Sequence, residues 1–256
     1  MSLRDKGYIL LKGVIPKDIL INFKRGFLEN ISTEKSINNC FTDGFNNRKF
    51  QDVLVFLEYE EILDYIRKIV GTLKWAYHTD INCNDSLHFH FHDDTSIRFC
   101  GKDIKYKNEL LKFCGDSETG WFPGSGNIYK NFRFGDVVDY FVYRVGIYFQ
   151  DSVNGGGLMV KPKSHLGNFN EDTFYIGSEL GDVVIFDSRL MHSGTRYSGN
   201  NRLNLYYTIG QDNIWTDIHA HGAIQRQQKT LKSIGVEQEI LSPDLSDKLD
   251  KLGIKK

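Results

Sequence analysis

GDVVIFDSRLMHSG, residues 181–194, opens on a Gly-Asp turn, runs through an apolar strand from Val183 to Phe186 and reaches His192 just beyond it. Short β-rich runs punctuated by Gly, Asn or Asp are strands, and this one is apolar enough to be buried on the inside of a barrel. A turn-forming run, Tyr197-Ser198-Gly199-Asn200-Asn201, then leads to Arg202. The strand predicted from Arg202 to Ile209 places Arg202, Asn204, Tyr206 and Thr208 on one face, because side chains alternate along a strand. If that face looks inward beside His192, a metal-ligand type and an anion-binding type share one wall of a cavity.

Further strands are expected at Trp75-Ala76-Tyr77, Leu87 to His92, Val137 to Gln150 and Gly157 to Val160. Within Val142 to Gln150, Arg144, Tyr148 and Gln150 share one face while Val145, Ile147 and Phe149 share the other. An interior strand with a polar face lines a cavity, so Tyr148 and Arg144 are candidates for binding cosubstrate or substrate. The first seventy residues read as helices. Pro16 suits a first helical turn, and Ile19, Leu20, Phe23 and Phe27 recur at three- and four-residue steps. Glu58 to Val70 has Ile62, Leu63, Ile66 and Ile69 on one side and Gly71 as a stop.

Ser242-Pro243-Asp244 opens a helix within 236–256, striped by Leu245, Leu249 and Leu252. Residues 95–136 are glycine-rich and irregular. A segment this long is either a lid over the site, carrying Trp121, Phe122 and Tyr129, or a surface insertion. The fold class is therefore mainly β with flanking helices, a jelly-roll or related sandwich. No linker divides residues 1–256, which read as one domain.

Hydrophobic residues at 40% and charged residues at 25% are ordinary for a globular chain of 256 residues. With 32 basic against 33 acidic residues and no basic stripe, nucleic acid and anionic membranes are excluded as partners. Cys40, Cys83, Cys100 and Cys114 form no C-x-x-C pair, which fits a reducing compartment. No leader is evident at the N-terminus, and no run approaches the ~20 apolar residues of a membrane span. A cytoplasmic protein acting on a small molecule is expected, with its oligomeric state open.

The second half of a metal site lies in LHFHFHDD, residues 87–94, where His88, His90, His92 and Asp94 share one face if the segment is a strand. Two histidines and one carboxylate hold non-haem Fe(II) while leaving positions open for O2 and a cosubstrate. His92, Asp94 and His192 are the favoured set. His78-Thr79-Asp80 has the same spacing, and His90, His92 and His192 make a third option. In the favoured case His88 and His90 line the cavity or steady the ligands. Arg202 can grip a carboxylate near the metal through two parallel hydrogen bonds, which fits a dicarboxylate cosubstrate. Arg196 is the weaker alternative.

DKGYILLKGVIPKDIL (5–20), YRVGIYFQDSVNGGGLMVKPKSH (143–165) and GDVVIFDSRLMHSG with Arg202 resemble the phytanoyl-CoA dioxygenase-like family of Fe(II)- and 2-oxoglutarate-dependent oxygenases. The resemblance runs from Asp5 to about Gly210 and implies a double-stranded β-helix of cupin-like type. It implies iron held by His92, Asp94 and His192, with Arg202 pairing the distal carboxylate of 2-oxoglutarate. It also implies a dioxygenase that hydroxylates its substrate, giving succinate and CO2. An aspartate at position 94 argues against halogenation, which needs that place open for a halide. Lys163 stands where the family commonly has glycine, a change confined to a turn. Gly155, Gly156 and Gly157 read as turn formers, and Ser164 and His165 as structural. Two rivals are a metal-dependent cupin-type isomerase or epimerase that needs no 2-oxoglutarate, and a non-catalytic jelly-roll binding protein.

Overall fold

The computed structural model describes residues 2–31, 40–42, 45, 48–83, 90–97, 100, 104–114, 136–199, 201–233 and 240–256. Its helices are α1 (Leu3–Lys6), α2 (Lys17–Ile31), α3 (Glu60–Val70), α4 (Lys107–Cys114), α5 (Ile214–Ser233) and α6 (Pro243–Lys251), with a 3-10 stretch at Arg48–Leu57. Its strands are β1 (Tyr8–Leu11), β2 (Cys40–Thr42), β3 (Leu73–Trp75), β4 (Asp80–Cys83), β5 (Val142–Tyr148), β6 (Leu158–Val160), β7 (Phe174–Ile176), β8 (Val183–Asp187), β9 (His192–Gly194) and β10 (Leu203–Gln211).

Seven strands make one sheet in the order β1-β8-β5-β10-β4-β2, with β3 also pairing β10, and β7-β6-β9 make a second. Every pairing between these strands is antiparallel among the described residues. The central register sets Asn204 opposite Tyr148 and Thr208 opposite Arg144, with Phe186 on the far side of Arg144. Alternation then sorts the side chains. Val145, Ile147, Val183, Ile185, Leu203, Leu205, Tyr207 and Ile209 face a core completed by α2, α3, α6 and the 3-10 stretch. Tyr148, Val184, Phe186 and Tyr206 face Leu158, Val160 and Ile176 of the second sheet. Strands covered on both faces are apolar in both phases of the alternation, which is why β8 reads as a continuous hydrophobic run.

The helices cover the outer face through the periodic residues seen in the sequence. Phe23 of α2 stacks on Phe149 at 5.1 Å and meets Phe56 edge-on at 5.0 Å. Ile62, Leu63 and Ile66 of α3 are fully buried, so truncating any of them to alanine costs about 2–5 kcal/mol. Gly71 ends α3 at φ 76, donating its N–H to Arg67. Ser242 caps α6, its hydroxyl accepting from Leu245 N–H at 3.3 Å. Among the described residues, no helix is long and apolar enough to cross a membrane.

Several expectations change. The strand read at Trp75-Ala76-Tyr77 is β3, which ends at Trp75, and Tyr77 turns the chain at φ 56. The strand read across Leu87 to His92 falls partly outside the described residues, and His92 makes a single bridge with His192 in place of a ladder. Residues 137–141 form a turn ahead of β5. The irregular 95–136 segment contains α4, while Trp121, Phe122 and Tyr129 lie outside the described residues. Strands β4, β7 and β9 and the twenty-residue α5 were not anticipated.

Candidate metal centre

His192 opens β9 opposite Val160 of β6. On its other side the His92 and His192 N–H groups each donate to the other's carbonyl at 2.9 Å. This reciprocal bridge sets the two imidazoles side by side, 4.4 Å between centroids, with the Phe186 ring packed on His192 at 4.8 Å. Two residues on, Asp94 N–H donates to the Ser188 carbonyl at 2.7 Å, tying the segment to the β8–β9 turn. Asp93 belongs to that turn of chain instead, its carboxylate accepting from Thr95 N–H at 3.0 Å and Thr95 Oγ1 at 2.6 Å.

Ligand atoms of His92, Asp94 and His192 all lie within 4.8 Å of one another. Among the described residues no other three His, Cys, Asp or Glu side chains gather this way. His92 Nδ1 lies 2.8 Å from the His90 carbonyl and His192 Nδ1 lies 2.8 Å from the Leu190 carbonyl. A carbonyl only accepts, so each Nδ1 carries the proton and each Nε2 offers its lone pair to the cluster. The Nε2 atoms approach Asp94 from two directions, His92 at 3.8 Å from Oδ1 and His192 at 3.5 Å from Oδ2. Two imidazole nitrogens with fixed tautomers and one carboxylate fit a non-haem Fe(II).

Arg144 rises from the middle of β5 beside this cluster. Its Nε donates to Asp94 Oδ2 at 3.0 Å and its Nη1 to the His78 carbonyl at 2.7 Å and Thr208 Oγ1 at 3.1 Å. Its Nη2 donates to Asp80 Oδ2, and Arg226 Nη2 of α5 donates to Asp80 Oδ1 at 3.0 Å. Burial alone raises the Asp94 carboxyl, but Arg144 and then His192 hold it well below the usual range. Burial, with Arg144 and Arg226, pushes His78 down to about 3, so it is neutral. Burial and His78 lower His219 likewise.

Further along the concave face the Arg144 guanidinium lies 5.5 Å over the Tyr206 ring, and Tyr206 Oη donates to Tyr148 Oη at 3.0 Å. Gly146 makes room for that ring, since a Cβ there would sit 2.8 Å from Tyr206 Cε1. Arg202 is buried at the head of β10 beside Asn204. In one orientation the Asn204 amide oxygen accepts from Gln150 Nε2 at 2.7 Å; in the other it accepts from Arg202 Nε and Nη2 at 3.1 and 3.0 Å. Burial, then the neighbouring Tyr206, raises the Tyr148 hydroxyl well above its ordinary range, against the pull of the Arg202 charge.

The structure thus brings His92, Asp94 and His192 together and puts Tyr148 on the same concave face, with Arg202 buried at the head of its neighbour β10. Arg144, expected to bind cosubstrate or substrate, donates to Asp94, Asp80, the His78 carbonyl and Thr208. His78 and Asp80 form a separate buried pair behind Arg144. His90 and Arg196 are exposed, and His88 lies outside the described residues. Sequence reasoning missed Arg226, His219, Tyr140 and Ser188. Tyr140 Oη lies 2.6 Å from Ser188 Oγ and 3.3 Å from His219 Nδ1. The one available signal was weak: His219, Ala223 and Gln227 recur at four-residue steps and are buried.

No protein-family model and no curated protein matches this sequence. Solved structures do match. SnoN, a non-heme alpha-ketoglutarate-dependent epimerase from nogalamycin biosynthesis, aligns with a TM-score of 0.55 at 14% identity, over 82% of this chain and 79% of that one. ThoJ, a non-heme monooxygenase, gives 0.53 at 14% identity over 82% and 75%. HygX from Streptomyces hygroscopicus, with nickel and 2-oxoglutarate bound, gives 0.53 at 12% identity over 82% and 84%. At such identities the likeness carries architecture alone. This chain has the fold that SnoN, ThoJ and HygX share.

Proposed function

We propose that residues 1–256 form one Fe(II)- and 2-oxoglutarate-dependent dioxygenase domain, a double-stranded β-helix (jelly-roll) related to the phytanoyl-CoA dioxygenase-like enzymes. It hydroxylates a small molecule in the cytoplasm: substrate, O2 and 2-oxoglutarate become hydroxylated product, succinate and CO2. The observation that carries this reading is the convergence of His92 Nε2, His192 Nε2 and the Asp94 carboxylate, with both tautomers fixed by carbonyls. Support comes from the fold shared with SnoN, which has been crystallised with Fe3+ and alpha-ketoglutarate, and with HygX, crystallised with nickel and 2-oxoglutarate.

Iron and 2-oxoglutarate supply the oxidative chemistry when bound. The protein supplies placement. His92, Asp94 and His192 hold the metal, Arg202 takes the distal carboxylate of the cosubstrate, and Tyr148 donates beside it. Leu158, Val160, Ile176, Val184 and Phe186 keep the space between the sheets apolar and shield it from water. A second reading is 2-oxoglutarate-dependent epimerisation, favoured by the shared fold with SnoN.

The test is anaerobic addition of Fe(II) and then 2-oxoglutarate, watching for the visible metal-to-ligand charge-transfer band. No band with the wild type, or an unchanged band in His192→Ala, overturns the proposal. Arg202→Ala is expected to raise the 2-oxoglutarate needed for half-saturation at least about tenfold, since a buried charge loses its partner, with Fe(II) binding intact. Product mass separates the outcomes, because hydroxylation adds an oxygen and epimerisation adds none.

A further inference from the structure

Two H-x-D pairs occur in this chain, and the one outside the metal cluster is buried, its aspartate set between two guanidiniums. Asp80 on β4 accepts Arg144 Nη2 on one oxygen and Arg226 Nη2 on the other, at 3.0 Å for the latter. His78 Nε2 lies 3.3 Å from Asp80 Oδ2. Its Nδ1 lies 3.2 Å from Ser96 Oγ and 3.2 Å from His219 Nε2. Asp80 is therefore gripped from β5 and α5, with the His78 ring beside it. Arg144 spans the gap between the two carboxylates, and its Nε reaches Asp94 Oδ2 at 3.0 Å.

We propose that His78-Thr79-Asp80 is the positioning half of the metal site: Asp80 anchors Arg144, Arg144 holds Asp94 Oδ2, which lies 3.5 Å from His192 Nε2, and Oδ1, 3.8 Å from His92 Nε2, is the oxygen left to bind the metal. This rests on the reading that His92, Asp94 and His192 bind the metal. The torsion that turns a carboxylate plane is broad and soft, so an aspartate with no second partner swings readily between one- and two-oxygen coordination. A charge-assisted hydrogen bond on Oδ2 removes that freedom. One-oxygen coordination keeps open a position that cosubstrate or O2 needs. A guanidinium with no anchor would itself be free to turn; the Asp80 carboxylate, clamped by Arg226, prevents this. Asp80 and Arg144 touch no ligand of their own and are positioning residues.

The test is Co(II) titration of four proteins: wild type, Asp80→Asn, Asp94→Ala and the double variant. It is read by Co(II) d–d absorption and by calorimetry, with circular dichroism to establish folding. Asp80→Asn is expected to weaken Co(II) binding about tenfold or more and to change the d–d spectrum. In the Asp94→Ala background the same substitution is expected to have almost no effect, because the group it acts through is gone. An equal loss in both backgrounds, or an unchanged affinity and spectrum in folded Asp80→Asn, overturns the positioning role. If the wild type binds no Co(II), the metal reading itself fails and takes this one with it. Should Asp80→Asn not fold, Arg144→Lys, which keeps the buried charge and loses the Nε donor, carries the same comparison. Failure of both to fold overturns the proposal in favour of a purely structural pair.

Discussion

Acidification from about pH 7.5 to about pH 5 should destabilise the metal-free protein by about 2 kcal/mol through His78 alone. The folded-state pKa of His78 is pushed down to about 3 by burial and by Arg144 and Arg226. The unfolded chain takes up that proton near pH 6.5. Between these limits the unfolded state binds a proton the native state does not, so stability is present above about pH 6.5 and is lost as pH falls. One pH unit is worth about 1.4 kcal/mol per group once the unfolded histidine is fully protonated, which over this range integrates to the figure above. His219, lowered by burial and His78, and His165, lowered by burial, act in the same direction. Asp80 and Asp94 are also depressed, but their contribution stays intact above about pH 4 and leaves this window clear. Urea unfolding followed by tryptophan fluorescence and circular dichroism at each pH measures the effect, with a constant m-value as the check on two-state behaviour. Stability that stays level or rises as pH drops from about 6.5 to about 5 would refute a neutral buried His78.

Gly146→Ala puts a methyl 2.8 Å from Tyr206 Cε1, about 0.7 Å inside an ordinary carbon–carbon contact. The variant should fold, lose about 1–3 kcal/mol in a thermal melt and bind 2-oxoglutarate more weakly. Its Co(II) affinity should be unchanged, and an unchanged 2-oxoglutarate affinity would count against the Tyr148–Tyr206 wall as part of the cosubstrate site. Ser242→Ala removes the hydroxyl that accepts from Leu245 N–H and should cost about 1 kcal/mol in chemical denaturation. That loss should come without any change in metal binding, because α6 packs on the far side of the main sheet.

Much of the fold was legible because the central strands obey a period of two. In β5 and β10 the alternation assigned Arg144, Tyr148, Asn204, Tyr206 and Thr208 to one face, and the register agrees residue by residue. Elements of three residues, such as β7 and β9, carry too little pattern to separate from loop. In β4 the run Asp-Ile-Asn-Cys hides a strand because its concave-face positions are polar, Asp80 serving Arg144 and Arg226. Helix α5 was hidden for a related reason. Its buried stripe includes His219 and Gln227, which satisfy a polar network, and Gly222, where a Cβ would sit 2.1 Å from the Ser96 carbonyl. A helix that approaches its neighbour that closely needs glycine where periodicity expects a large apolar side chain.

The sequence offers two candidates for the proposed metal site, and that ambiguity has a physical origin. His78-Thr79-Asp80 and His92-Asp93-Asp94 have the same residue types at the same spacing, so local periodicity ranks neither above the other. What separates them in the structure is which one pairs with the strand carrying His192, a contact a hundred residues away in sequence, and His92 makes that bridge. The same distance effect bears on Arg144. An arginine on a cavity-lining face is a sound candidate for an anionic ligand until the acceptors already inside the protein are counted. Here Asp80 and Asp94 reach Arg144 first, one through Nη2 and one through Nε. Arg202 has no carboxylate among its described hydrogen-bond partners, only the amide of Asn204 in one orientation. A planar guanidinium next to an amide can still grip a carboxylate through two parallel hydrogen bonds, which is the role proposed for Arg202.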